Sequence, residues 1–268
     1  MLPRLSGNFH FDSENTLRAG IARATRSASM AAYRGAAIVD QPIVSYRYRF
    51  AGNPDLPVER LDTVEVGYLG DWRTWRSSLD VRLYRENIKG RLYRVNEKLN
   101  GAGYADDTLA YLAPLQNVQI HGLEYQFKWQ PFDSTRLMLN QSFSKVDAEF
   151  LVSSSQSQNA GLDRFTEMSV PRRTTSVLWL QRLPFKLELS TAYYRMSEMK
   201  WSTNTSSPLY ERVDAKLAYP FRLGGVGGEV AVTVQSLNGE HVEYKQTTGK
   251  PDGRIVERRQ WVSLRLDF

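Results

Sequence analysis

Polarity alternates residue by residue along much of this chain, and the pattern is plainest at its end. In residues 261–268, Val262, Leu264, Leu266 and Phe268 fall on one side of an extended strand. Trp261, Ser263, Arg265 and Asp267 fall on the other, because successive strand side chains point to opposite faces. The same two-residue period predicts ten further strands, at 5–11, 16–24, 61–69, 75–87, 117–129, 135–149, 172–182, 185–194, 210–221 and 229–237. Leu17, Ala19 and Ile21 share a face, as do Val64, Val66 and Tyr68, then Leu79, Val81 and Leu83, then Val230, Val232 and Val234. Only 172–182 is ambiguous, since Val177-Leu178-Trp179-Leu180 is apolar on both sides. No segment carries a helical period, so no helix is expected.

The connections matter as much as the strands. Short ones at 12–15, 70–74, 131–134, 183–185 and 222–228 take turns with long ones at 25–60, 88–116, 150–171, 197–208 and 238–258. Soluble sandwiches use short connections throughout, and structureless loops beyond about 15 residues are uncommon in them. Outer-membrane barrels pair short periplasmic turns with long extracellular loops. The expected fold is therefore all-β: an antiparallel transmembrane β-barrel portion of eleven strands, with lipid on the apolar wall and water on the polar one. A soluble all-β sheet with one half-buried face is the alternative.

Composition leaves this picture standing. With 41% hydrophobic residues and a mean hydropathy of −0.46, no run reaches the roughly 20 apolar residues of a spanning helix. Strands escape that test because every second residue is free to be polar. Cysteine is absent, which removes disulfides, thiolate zinc sites and thiol catalysis. The net charge of +6 comes from interspersed signs with no basic stripe, so nucleic acid is not expected as a partner. The aromatics Tyr68, Trp72, Trp75, Trp129, Phe132, Tyr219 and Phe221 cluster near strand ends, as interfacial girdles require and as strand packing also allows.

Catalytic chemistry is not expected. His10, His121 and His241 lie on separate segments without metal-ligand spacing, and there is no nucleophile elbow, P-loop or dinucleotide fingerprint. The glycines at 224, 225, 227 and 228 read as a hairpin turn between alternating strands. Predicted inner-face carboxylates (Glu65, Asp80, Glu124, Glu188, Asp214, Glu229, Asp267) alternate with Arg82, Lys128, Arg212, Lys216 and Arg265. Cross-strand ion pairs in a wet lumen account for them. Neither cofactor nor metal is expected.

Several motifs resemble a known family, the TonB-dependent outer-membrane receptors. N-P-D-L-P-V-E-R-L-D-T-V-E-V-G-Y at 53–68 is similar to a barrel segment of that family. V-Q-I-H-G-L-E-Y-Q-F at 118–127 resembles its G-x-E strand, and S-V-P-R-R-T at 169–174 the proline that leads from loop to strand. V-T-V-Q-S-L-N-G-E-H-V-E-Y at 232–244 resembles its penultimate strand, with Gln235-Ser236-Leu237 in place of the usual V-x-N-L, and Phe268 matches its terminal aromatic. The resemblance implies a barrel of about 22 strands filled by a plug, of which residues 1–268 supply the second half.

On that reading the chain is a partial barrel domain with no plug and no signal peptide, an expected fragment: a truncated gene, a split receptor or a partial gene model. The implied function is TonB-dependent uptake of a scarce large nutrient of the siderophore, cobalamin or glycan class, in the bacterial outer membrane, without enzymatic activity. A passive channel built from several chains and a soluble binding module are the rivals. Implied partners are outer-membrane lipid and lipopolysaccharide, the barrel-assembly machinery, and the TonB-type energy-coupling complex acting through a plug. Long loops on a rigid scaffold are where substrate is gripped, so Tyr33, Tyr46, Tyr48, Tyr104, Tyr111 and Trp201 are the substrate-binding candidates. Val262, Leu264, Leu266 and Phe268 are the implied barrel-assembly signal.

Overall fold

The computed structural model of the chain describes residues 2–41, 46–99, 106–151, 162–202, 204–246 and 253–267. Eleven strands follow one another in a single antiparallel meander. They are β1 (Arg4–His10), β2 (Asn15–Arg26), β5 (Glu59–Trp72), β6 (Ser77–Leu99), β7 (Asp106–Phe132), β8 (Thr135–Phe150), β9 (Arg173–Arg182), β10 (Glu188–Met196), β13 (Tyr210–Leu223), β14 (Val226–Gln235) and β17 (Arg259–Asp267). These are the eleven segments that alternation picks out. Among the described residues β1 and β17 are the two free ends of this meander, which does not close on itself.

The short turns form for local reasons. Asp12 Oδ1 accepts from the backbone N–H groups of Glu14 and Asn15, both at 2.8 Å, and so folds 11–14 into a side-chain-capped turn. Leu223 pairs with Val226, leaving Gly224 and Gly225 as a two-residue hairpin loop. Gly224 takes φ 61°, the left-handed conformation such loops demand and glycine adopts without a Cβ penalty.

The long connections are more ordered than their sequence implies. Segment 25–60 holds a short helix α1 (Met30–Arg34) and a hairpin of β3 (Ala36–Gln41) and β4 (Tyr46–Ala51). A second short helix, α2 (Leu162–Glu167), lies in the next loop but one, so the expectation of no helix is corrected twice. Both helices are too short to show a period, and α1 is set by its cap, where Ser29 Oγ accepts from Ala32 N at 3.3 Å. The stretch 88–116, expected to be irregular, is largely strand: β6 and β7 run on past the barrel wall to Leu99 and from Asp106, and β4 joins β7 in parallel. A bulge on β6 at Lys89-Gly90, with Gly90 at φ 66°, shifts the register between Ile88 and Arg91, and a second on β7 at Leu115 restores it by Leu92. A bulge inserts a residue on one strand only, which reverses the inside–outside alternation there and erases the sequence signal. Above the right-hand strands, β11 (Met199–Lys200), β12 (Thr205–Ser207), β15 (His241–Gln246) and β16 (Gly253–Val256) form a second sheet.

Burial is inverted relative to a soluble sandwich. Val95, Ala110, Leu115, Val118 and Val146 are buried around the β6–β7 extension, where a small core sits. The alternating apolar residues of the main sheet stay open: Val64 is 54% exposed, Leu83 50%, Val262 70% and Leu264 63%. An exposed apolar surface continuous over so many strands belongs against an apolar partner.

Candidate functional site: the polar wall and its loop roof

Paired strand residues share a face, so the register assigns the two walls. Arg18, Glu65, Asp80, Arg82, Glu124 and Gln126 lie on the wall opposite Val64, Val66, Leu83 and Leu123. On this inner wall charges meet in pairs. Arg18 bonds Asp80 by crossing the intervening strand β5. Arg82 sits between Glu65 at 2.7 Å and Glu124 at 3.6 Å. Farther round, Arg212 holds Asp214 at 2.6 Å and Lys216 holds Glu229 at 2.6 Å. Between these sectors runs an uncharged ladder, in which Gln126 Nε2 donates to Asn140 Oδ1 at 2.7 Å and Asn140 Nδ2 to Ser176 Oγ at 3.1 Å. The expected cross-strand ion pairing of the inner face is thus present through Glu65, Asp80, Glu124 and Glu229, while Asp214 pairs with Arg212 along its own strand.

Glycines make this wall possible. A Cβ at Gly67 would stand 2.9 Å from Arg18 Nε and 2.9 Å from the Val81 carbonyl, so the arginine's path over β5 needs a bare backbone. A Cβ at Gly122 would stand 2.1 Å from Tyr84 Cζ, because the tyrosine ring lies flat over that glycine.

The wall and the loop sheet together enclose a concavity of about 780 Å³. Its floor is the ion-paired and amide-lined wall. Its upper rim carries Tyr194, Arg195, Trp201, Tyr210 and Glu243. Arg212 donates to Tyr210 Oη at 3.2 Å and stacks 5.0 Å over the Tyr194 ring. Trp201, 58% exposed, projects from the loop sheet and lies 6.4 Å from Tyr244. Behind the rim, His241 packs edge-on against Tyr210 at 4.6 Å and its Nδ1 lies 3.2 Å from Ser236 Oγ. Burial, and then the Arg212 charge, push the His241 pKa below its ordinary value. Such a surface binds by stacking and hydrogen bonding. Among the described residues no group of three or more His, Asp or Glu side chains is placed to hold a metal ion.

The sequence-derived candidates separate in space. Trp201 lies on the concavity. Tyr46 and Tyr48 share one face of β4, where Tyr48 carries the Arg94 guanidinium at 5.1 Å. Tyr111 lies opposite Val95 in the β6–β7 extension and Tyr33 sits on α1. These four belong to the other loop lobe, built on the β6–β7 extension, and Tyr104 lies outside the described residues. Val262, Leu264 and Leu266 share the apolar face of β17 at the sheet edge, while Phe268 lies outside the described residues. Tyr194, Tyr210 and Arg212 escaped selection as substrate-binding candidates because they fall at strand ends rather than in loops, and His241, in the connection 238–258, because it lacks metal-ligand spacing. Only their convergence across β10, β13 and β15 singles them out.

No curated protein matches the chain. Among solved structures it resembles the ferric enterobactin receptor PfeA of Pseudomonas aeruginosa, with a TM-score of 0.67 over 99% of this chain and 39% of that one, at 15% identity. It is similar to the siderophore receptor PirA of the same organism (TM-score 0.64, 14% identity, 100% and 42% covered). A further likeness is the ferric-catecholate import receptor Fiu of E. coli K12 (0.66, 12%, 98% and 34%). The chain therefore spans between 34% and 42% of the length of these three, and the likeness is one of fold. Residues 1–239 match the family model described as TonB dependent receptor-like, beta-barrel. That match, over an eleven-strand meander with an ion-paired inner wall and an exposed apolar outer one, places the chain in the TonB-dependent receptor β-barrel family, whose members are receptors and transporters rather than enzymes.

Proposed function

We propose that residues 1–268 form the later half of the barrel domain of an outer-membrane receptor that takes up a siderophore-type chelate by TonB-dependent transport. The observation that carries this reading is the two-faced sheet: lipid suits its exposed apolar wall, and a plug and water suit its ion-paired wall. The named neighbours, receptors for ferric enterobactin and ferric catecholates, support the siderophore class over cobalamin or glycan. The remaining strands and the plug come from sequence outside these residues, and they pair with the free edges β1 and β17. Energy coupling acts through that plug. The barrel-assembly machinery reads Val262, Leu264, Leu266 and Phe268, and outer-leaflet lipid meets the apolar wall.

Substrate contact is assigned to Trp201 first, since it faces the concavity, and to Tyr33, Tyr46, Tyr48, Tyr104 and Tyr111 as aromatics of the other lobe. The test is uptake of radiolabelled ferric siderophores by iron-starved cells carrying the complete receptor. Uptake that depends on the energy-coupling protein supports the reading; steady passive conductance in planar bilayers without that protein favours a channel instead.

A further inference from the structure

A buried imidazole sits where the roof over the concavity joins the barrel wall, and the uptake reading gives it no task. β14 leaves the wall at Gln235, and the chain enters the loop sheet as β15 at His241. Residues 236–240 form a tight bend between them, with Ser236 at φ 55°, Gly239 at φ 113° and a bond from Gly239 N to Ser236 O at 3.0 Å. A serine at positive φ is strained unless its surroundings hold it there. β13 does so: Leu237 N donates to Val213 O at 2.7 Å, and Val213 N to Asn238 Oδ1 at 2.9 Å. Ser236 N donates to Asp214 Oδ1 at 3.1 Å.

His241, the first residue past the bend, is buried, and so is Ser236 beside it. Its Nδ1 has the Ser236 hydroxyl, while its Nε2 is buried without a hydrogen-bond partner among the described residues. A neutral ring fits that setting with its one N–H on Ser236 and Nε2 bare. A second proton would create a buried donor with no acceptor. The charges around the ring do not rescue it. On β13, Arg212 is of the wrong sign and already holds Asp214 at 2.6 Å; on β15, Glu243 is held by Arg254 of β16 at 3.1 Å. Tyr210 on β13 and Val256, opposite His241 on β16, are uncharged. Burial and then Arg212 accordingly push the imidazole pKa down, against opposite pulls from Glu243 and Asp214.

The seat of His241 governs the roof. β15 pairs with β12 and β12 with β11, and Trp201 N donates to Thr205 O of β12 at 2.9 Å, so Trp201 travels with β15. On its far side the sheet is tied by Lys200 N to Met168 O at 2.8 Å, with Lys200 Nζ 5.2 Å over the Phe165 ring of α2. Loosening the His241 end leaves the sheet to turn about that second support.

We propose that His241 is a positioning residue for the roof: neutral, it seats β15 against Tyr210 and holds Trp201 over the concavity; protonated, it leaves its pocket and lets the loop sheet lift. The receptor then holds a chelate at neutral pH and loosens its hold in acid. This inference rests on the chelate-uptake reading above. The seated ring binds no proton and the released ring titrates near the ordinary value of 6.5, so acid favours the lifted roof. Binding is whole above that value and falls below it, by at most about tenfold per pH unit for one proton.

It is tested by isothermal titration of the complete receptor in detergent, with ferric enterobactin as the probe. Wild-type affinity should fall by about tenfold between about pH 7.5 and about pH 5.5. His241→Gln, whose side chain stays neutral throughout, should lose most of that slope; the probe's own titration is common to both proteins and cancels. Equal slopes overturn the latch. A second measurement leaves His241 in place. Residues 1–268 contain no cysteine, so spin labels on Ile255→Cys in β16 and Leu217→Cys in β13, with any cysteine elsewhere in the receptor replaced, report the distance from roof to wall without chelate. A distribution that lengthens or broadens below pH 6.5 supports the latch; one that stays the same down to about pH 5.5 overturns it. Failure to bind chelate at any pH overturns the uptake reading, and the label distance then decides the latch alone.

Discussion

Arg18 on β2 meets Asp80 on β6 by lying across Gly67 of the strand between them. An ion pair two strands apart ties three strands together, and the missing side chain in the middle is what permits it.

The glycine should therefore matter more than the pair. Gly67→Val brings a branched side chain against Arg18 and the Val81 carbonyl, and overpacking of this kind costs about 1–3 kcal/mol. Arg18 and Asp80 are themselves 39% and 43% exposed, so their coupling in a double-mutant cycle should be under about 1 kcal/mol. Denaturant titration of the complete receptor in detergent measures both; a coupling larger than the glycine effect would contradict this ranking.

Tyr84 and Gly122 form a second test. Gly122→Ala should force the ring off the strand and lower the heat-modifiable folded fraction on gels, because its Cβ would stand 2.1 Å from Tyr84 Cζ. Tyr84→Ala in the same background should restore most of the loss, giving an interaction energy of about 0.5–3 kcal/mol. Additive losses would show that the glycine serves some other purpose.

His241 makes the loop sheet sensitive to acid. Its depressed pKa arises from burial first and Arg212 second, outweighing Glu243 and Asp214, which act the other way; Tyr210 and Ser236 are its uncharged neighbours. Unfolding this region frees the imidazole to take up a proton, so stability is whole above the ordinary value of 6.5 and falls as pH drops toward the folded-state pKa. Hydrogen exchange of β15 amides, corrected for intrinsic rates, should speed up as pH falls below the ordinary imidazole value of 6.5. His241→Gln should flatten that dependence, and an unchanged slope in the variant would assign it elsewhere.

Trp201→Ala should weaken chelate binding by about tenfold or more, as exposed aromatic anchors of binding sites do, without changing the folded fraction. Tyr33→Ala, on the opposite lobe, should have the smaller effect. Isothermal titration with the complete receptor compares them, and the reverse order would move the binding surface to the β3–β4 lobe.

Phe268→Ala in the complete receptor should lower the folded yield in membranes, and Leu264→Asp should lower it further by placing a charge on the lipid-facing wall. Wild-type yield from both would remove the terminal strand from barrel assembly.

The sequence by itself determined the strands of the meander and which of their faces is apolar. Val64-Glu65-Val66 and Leu264-Arg265-Leu266 carry that instruction locally, since a two-residue period leaves a pleated strand one choice of inside and outside. It also determined the inner-wall charge pattern, for the pairing of Glu65 with Arg82 follows once the register is set. Alternation fails where the chain leaves the wall. In the β6–β7 extension a bulge on each strand, at Gly90 and at Leu115, resets the parity, and β7 buries residues of both faces, such as Asp107 and Thr108, beside a small core of Val95 and Ala110. The helix at Met30–Arg34 is shorter than its own period would need to be seen. Only the tertiary structure decided that Trp201, Tyr210, Arg212 and His241 converge from separate elements. Proximity between distant segments depends on strand order, register and loop packing, and no local run of residues encodes it.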